Sequence, residues 1–405
     1  MDRWNEPTPL AELDARKERF FAAMERAVPD WETAILVHRV HHLYFAGTMQ
    51  DGLLVFRRDG LRRYFARRSF ERACDESSLP AGEVVPMESY RDAAAELGKP
   101  LGKTCVEREV LPLAMLERMQ KHLSMSCVVG LDGVVARVRS VKSAWELGWM
   151  QTSGSLHRQL LEEIVPTFLR EGMSETDFVA ELFEAAVKLG YQGVSRFAMF
   201  QNEVGIGQYA FGTNALYPTN FDGPGGSRGM SAAIPFVGDR SCFLSPGTSV
   251  FADMGFGVNG YHTDKTQVYF FRGSGKATIP ADALAAHEKC REIQSRIAEL
   301  LVPGNTPDAI YRQIMESLPD DFLPNFQGFG ARKVKFLGHG VGLHIDEYPV
   351  LARGFCEPLE ENMVLAVEPK KGIPGFGTVG VEDTYRVTPS GGECLTGGGR
   401  EIQLL

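Results

Sequence analysis

No stretch of this 405-residue sequence approaches the roughly 20 consecutive apolar residues that a bilayer-spanning helix needs. Basic runs are also missing: 43 Lys and Arg face 52 Asp and Glu, for a formal net charge of −9 and a pI near 5.6. A nucleic-acid or anionic-membrane partner is therefore excluded as an expectation. No Cys-x-x-Cys pair occurs. The seven cysteines (Cys74, Cys105, Cys127, Cys242, Cys290, Cys356 and Cys394) are odd in number and widely scattered, which fits a reducing compartment, and no motif marks any of them as catalytic. They read as reduced thiols. The opening residues, Met-Asp-Arg-Trp-Asn-Glu-Pro, lack the basic segment and apolar core of a secretory leader. Cytoplasmic residence is the expectation. Neither an internal repeat nor a low-complexity tract is evident.

What is present is the composition of an ordinary globular protein, 44% hydrophobic and 23% charged, in a chain longer than one core usually supports. The texture changes near residue 140. Before it, a helix over 9–27 capped by Thr8 leads into short strand-like runs at 33–38, 52–56 and 63–66, then a helix over 111–123 and a strand over 126–130. This alternation predicts an α/β domain over 1–140 and leaves 141–405 as a second domain. The second part opens with a long amphipathic helix predicted from Ser143 to about Arg170. A helix over 174–189 follows, with Ser174 and Asp177 as an acidic capping box, then a glycine-rich stretch over 212–229 and helices near 279–301 and 306–317.

The chemistry is concentrated in five residues. Asp253 and Asp264 lie eleven residues apart, His339 sits in a Gly-His-Gly segment, Glu368 precedes a proline, and Glu382 follows fourteen residues later. The acids lie at or near apolar stretches such as Val-Phe-Ala-Asp253, Val-Leu-Ala-Val-Glu368 and Val-Gly-Val-Glu382, so strands would deliver them from a packed sheet. Four buried carboxylates and an imidazole repel one another and lose hydration. Such a cluster persists only if cations neutralise it, and two divalent metals would do so.

The segments Asp253-Met-Gly-Phe-Gly-Val-Asn-Gly-Tyr-His-Thr-Asp264, Gly338-His339-Gly340, Val-Leu-Ala-Val-Glu368-Pro369 and Val381-Glu382-Asp383 resemble those of the prolidase, aminopeptidase P and methionine aminopeptidase superfamily, M24. All five ligand types occur in the family's order. The resemblance covers the C-terminal two-thirds well and the N-terminal third in size and α/β texture. It implies an α/β (α+β) protein: a pita-bread catalytic domain with a curved antiparallel sheet behind a smaller creatinase-type domain. It also implies a dinuclear centre in which Asp253 chelates one ion, His339 and Glu368 the other, and Asp264 and Glu382 bridge. Manganese, cobalt, iron and zinc all suit that donor set. Glu368 is implied as the group that takes a proton from the attacking water and returns it to the leaving amine.

Departures from the family pattern bear on substrate. The second histidine expected seven residues beyond His339 is Asp346, an anion that cannot stabilise an oxyanion unless protonated or paired. His344 is the candidate to take that role, with a structural loop histidine as the other reading. No histidine occurs between His157 and His262, so an upstream histidine of the peptidases is missing. His262, near the turn of the hairpin, is a candidate to face substrate or a core residue. The arginine expected two residues before the last glutamate is Gly380, and the Pro-Gly after the first glutamate is Pro369-Lys370-Lys371. Loss of a guanidinium removes a bidentate carboxylate clamp. Lys370 either supplies a replacement charge to substrate or is solvated, the more usual state of a lysine after a strand. Arg228, in the stretch Asn220–Gly229, could help cradle an anion through that loop, which equally reads as a plain connection.

The expected function is hydrolysis of the amide bond next to proline in short peptides by a dinuclear metal centre. Two alternatives stand beside it: hydrolysis of a non-peptide C–N bond in a small metabolite, as in creatinase-like branches, and a non-catalytic binding protein. A homodimer follows from the resemblance, with His41 and His42 as residues that could reach a partner's site or, as a pair at a strand end, lie on the surface.

Overall fold

The computed structural model describes residues 6–98, 100–198, 205–219, 221 and 223–405. It divides into two compact units, Met1–Arg139 and Ser140–Leu405.

The first unit is built on a six-stranded mixed sheet, ordered 84–86, 62–66, 52–57, 33–36, 102–106, 125–130. Its central strand Thr33–Leu36 is fully buried and pairs antiparallel with Gly52–Arg57 and parallel with Gly102–Val106. Ile35, Leu53, Val55, Phe65, Val106 and Met119 form the core on one side. Helix Leu10–Ala27 starts after Pro9 with no side-chain cap, so Thr8 does not serve as one. His41 and His42 are not at a strand end: both lie in the helix Arg39–Ala46, and His42 is fully buried with Nε2 bonded to Leu36 O. Burial pushes its pKa down.

In the second unit the amphipathic pattern from 143 to 170 is not one helix. It runs as Ala144–Gln159, then a π-helical turn Leu160–Ile164, then Val165–Phe168, where Pro166 interrupts the helical ladder. Ser174 and Asp177 form the expected capping box at the start of Glu175–Leu189. Two sheets carry the site. A four-stranded sheet contains the long hairpin Thr248–Val258 and Tyr261–Phe271, flanked by Gly207–Phe211 and Gln403–Leu404. A five-stranded sheet is ordered 347–352, 336–340, 364–367, 383–388, 391–394. The small hairpin Lys370–Ile373 with Gly377–Gly380 stands between Glu368 and Glu382 in sequence. Helix Ala281–Leu300 packs on this unit, and Cys290, Ile293, Ile297, Leu337, Leu365 and Val367 share one core. All seven cysteines are free. Among the described residues no helix is long and apolar enough to cross a membrane.

Candidate metal centre

The hairpin turn is Asn259-Gly260, both at positive φ, a two-residue loop whose twist matches that of the flanking strands. That turn sets the register. Asp253 faces Thr266 and Asp264 faces Gly255, so the two aspartates are diagonal neighbours on one face of the ladder. The other ligand-type residues arrive from the second sheet. His339 pairs with Ala366 across the antiparallel strands 336–340 and 364–367, and Glu368 follows that second strand, its N–H bonded to Leu337 O. Glu382 is joined to the hairpin by the Thr266 N–H, which donates to Glu382 O. The two sheets thus meet where the ligand-type residues converge.

All five residues are at least 90% buried and line one cavity. Asp264, His339 and Glu382 each offer a ligand atom within 4.8 Å of the others. His339 Nε2 lies 3.3 Å from Glu368 Oε1 and 3.9 Å from Asp264 Oδ2. On the other side of the ring, Nδ1 lies 3.1 Å from Asp346 Oδ1 and 3.1 Å from Gly340 O, so Nε2 is the nitrogen presented to the acids. Burial alone would push the His339 imidazole down, but Asp346, Glu368 and Asp264 outweigh it and hold its pKa well above the ordinary value. Burial, reinforced by neighbouring carboxylates, raises Asp264 and Glu382 well above the carboxylate range. Carboxylates that resist ionisation in this way fit a divalent cation, whose charge would remove the penalty.

Lys370 is a correction to the solvated reading. Its side chain is fully buried, and Nζ donates to Asp253 Oδ2 at 2.8 Å, Glu368 Oε2 at 2.9 Å and Glu382 Oε2 at 2.6 Å. Burial opposes its charge, yet those three acids hold its pKa well above the lysine value. Burial would raise Glu368 too, but Lys370 and His339 keep that carboxyl below its usual value. The sequence hides this arrangement, because a lysine two residues past a glutamate and beyond a proline has no readable facing.

The remaining candidates are not brought to the cavity. His262 lies within the strand rather than the turn and is fully buried, Nδ1 facing Gly342 O at 3.0 Å and Nε2 facing Gln192 Nε2 at 2.9 Å. Burial pushes its pKa down to about 4, the state of a neutral core histidine. His344 is buried, but the described lining takes its successors Ile345 and Asp346 instead. Arg228 is 61% exposed and lies 3.8 Å from Asp239, away from the lining. Asn220 and Asp222 of the same stretch lie outside the described residues, whereas Phe221 joins the cavity wall.

Residues 148–389 match the family described as metallopeptidase family M24, and residues 16–141 match the creatinase/prolidase N-terminal domain. The chain belongs to metallopeptidase family M24. It is similar to the Xaa-Pro dipeptidase of Pyrococcus furiosus, 25% identical over 368 residues that cover 90% of this chain and 92% of the relative. Among solved structures, dipeptidase PepE from Mycobacterium ulcerans superposes with a TM-score of 0.77 at 22% identity, covering 98% and 99% of the two chains. The N-terminal domain of the FACT complex subunit SPT16 from Cicer arietinum superposes with a TM-score of 0.71 at 13% identity, covering 97% and 98%. Structural likeness at such identities establishes the fold, here a creatinase-type domain followed by the M24 catalytic domain. As an M24 enzyme the chain is a metallopeptidase, a hydrolase with a divalent-metal cofactor.

Proposed function

We propose that this M24 enzyme hydrolyses the amide bond next to proline in short peptides. The observation that carries the reading is the cavity, which Asp264, His339, Glu368 and Glu382 line together with Phe197, Ile206, Phe221, Met254 and Ile345. The apolar part of that lining suits a pyrrolidine ring. Asp264, His339 and Glu382 would hold a divalent cation of the manganese, cobalt, iron or zinc class, which would supply a Lewis acid for the scissile carbonyl and a water of lowered pKa. Glu368, kept ionised by Lys370 and His339, accepts the proton of the attacking water and passes it to the leaving amine. The resemblance implies two ions, which Asp253, Asp264, His339, Glu368 and Glu382 would hold between them. Five residues of suitable type support that arrangement, and Lys370 among them argues for fewer ions.

A second reading is favoured by one feature. Among the described lining residues none is Arg or Lys, and Gly380 stands where the family's clamp would be. A free C-terminal carboxylate finds no cation there, so a small neutral amide outside the peptide class is the competing substrate. Homodimer formation rests on the resemblance, and cytoplasmic residence on the free thiols.

The test is hydrolysis of Ala-Pro, Ala-Pro amide and Ala-Ala by protein loaded with each of the four metals. Both proline substrates should be cleaved, the amide about as well as the acid because no clamp reads the terminus, and Ala-Ala should persist. Glu368→Gln should lower kcat about 10²- to 10⁴-fold. Failure on every Xaa-Pro peptide with every metal would sink this reading and favour the small amide.

A further inference from the structure

We propose that the Lys370 ammonium takes the place of one of the two metal ions, so that this M24 centre binds a single divalent ion beside a cation built into the chain. The inference rests on reading the cavity as a metal-dependent hydrolytic centre and concerns how many ions that centre holds.

Three observations converge. First, Nζ has three hydrogens and three carboxylate acceptors, Asp253, Glu368 and Glu382, at 2.6 to 2.9 Å. An ion bonded to those same oxygens at about 2.0–2.2 Å would lie on top of the nitrogen. Second, the lysine is anchored. Its backbone N–H donates to Gln327 Oε1 at 2.8 Å and its carbonyl accepts from the Gln327 N–H at 2.9 Å, with Gln327 itself buried. Third, the position opposite has changed with it. Lys370 and Gly380 are partners across the small antiparallel hairpin. Gly380 has φ +133°, and a Cβ there would stand 2.4 Å from Pro369 O, 2.6 Å from Lys370 Cα and 3.1 Å from Lys370 Cγ. The pattern this chain resembles has glycine at the first position and arginine at the second. Here the pair is reversed, and the cation has crossed from one strand of the hairpin to the other, from a place that would clamp substrate to one inside the carboxylate cluster.

What is left fits one ion. Glu382 Oε2 is committed to Lys370 and to the Thr266 hydroxyl at 2.9 Å, leaving Oε1 for a metal. Asp264 and His339 Nε2 complete the donor set, and Glu368, with Oε2 on Lys370 and Oε1 3.3 Å from His339 Nε2, stays beside the ion as the base. Asp253, a chelating residue in the two-ion arrangement, becomes a partner of the lysine.

The test is ion stoichiometry, by calorimetric titration of chelator-treated protein with Mn²⁺ and Zn²⁺, together with anomalous diffraction from metal-soaked wild-type crystals. The wild type should take up one ion per chain, with a single anomalous peak by His339 and Lys370 still on Asp253. Lys370→Gly should take up two, the second peak appearing among Asp253, Asp264 and Glu382, whereas Lys370→Met, which fills the space, should stay at one. Two ions in the wild type, with Lys370 displaced, would overturn the inference, and so would none. Lys370→Gly remaining at one ion would overturn it as well. The wild-type crystals decide the matter if the variants do not fold. One ion in a protein inert toward every Xaa-Pro peptide would support the inference while sinking the proposed substrate.

Discussion

His339 has one nitrogen turned to the acids and the other turned to Asp346 and the Gly340 carbonyl, both 3.1 Å away. A carboxylate behind a metal-ligating histidine fixes the ring's orientation and raises its basicity, the role we propose for Asp346 behind His339. Asp346→Asn should weaken divalent-ion affinity about 10- to 100-fold with little change in fold, as read by calorimetric titration and circular dichroism. Unchanged affinity would remove Asp346 from that role. At this scale the ligand-type residues were legible because burial of four acids has few physical excuses. Asp346 was noticed as a departure, yet its use was not, since nothing in the spacing shows that it turns back to His339. The candidates His262 and His344 show what spacing does not reach. The contacts of the His262 ring with Gln192 and Gly342 come from distant segments, and the His344 backbone N–H is bonded to Glu347.

Successive residues on a strand face opposite sides, and the two ligand strands use this alternation twice. Asp264 and Glu382 face the cavity, while their successors Lys265 and Asp383 face away and meet, Nζ to Oδ1 at 2.8 Å, both almost fully buried. Thr384 adds a two-way link, accepting from the Asp264 N–H at 2.8 Å and donating to Asp264 O at 2.9 Å. The pair therefore fastens the two sheets behind the ligands. Removing Lys265 leaves Asp383, and Glu162 3.3 Å from Nζ, uncompensated, so Lys265→Met should cost about 3–5 kcal/mol in urea denaturation, and adding Asp383→Leu should recover part of it. A small loss in the single variant, with no recovery in the double, would show that the pair is not what joins the sheets. Elements of this kind were partly readable. The Asn259-Gly260 turn and the Ser174 capping box announce themselves through local chemistry. The break at 160–164 does not, because the apolar pattern continues across the π-helical turn.

Two compact units, each with its own core, make up the molecule, and the change of texture near residue 140 falls where the units divide at Arg139 and Ser140. The pairing order of either sheet was beyond reach, since it depends on contacts between strands far apart in sequence. The first unit has an electrostatic anchor independent of any metal. Glu107 is fully buried and accepts from the backbone N–H groups of Val37 and His38, the latter at 2.8 Å, while its other oxygen pairs with His41. Burial would raise its pKa, but His41 and the two N–H donors outweigh that and hold it at about 2. A carboxylate whose folded pKa lies below its unfolded value binds fewer protons when folded, so its contribution is complete above roughly pH 4.5 and fades as pH falls toward 2. Glu107→Gln keeps the shape and removes the charge. It should lower stability by about 1–3 kcal/mol at pH 7, and the gap from wild type should narrow steadily through urea titrations at pH 5, 4 and 3. The same gap should persist in chelator, because Val37, His38 and His41, the partners of Glu107, all belong to the first unit. A gap that stays constant with pH would assign the loss to packing around the side chain, and one that vanishes on chelation would tie the anchor to the metal centre.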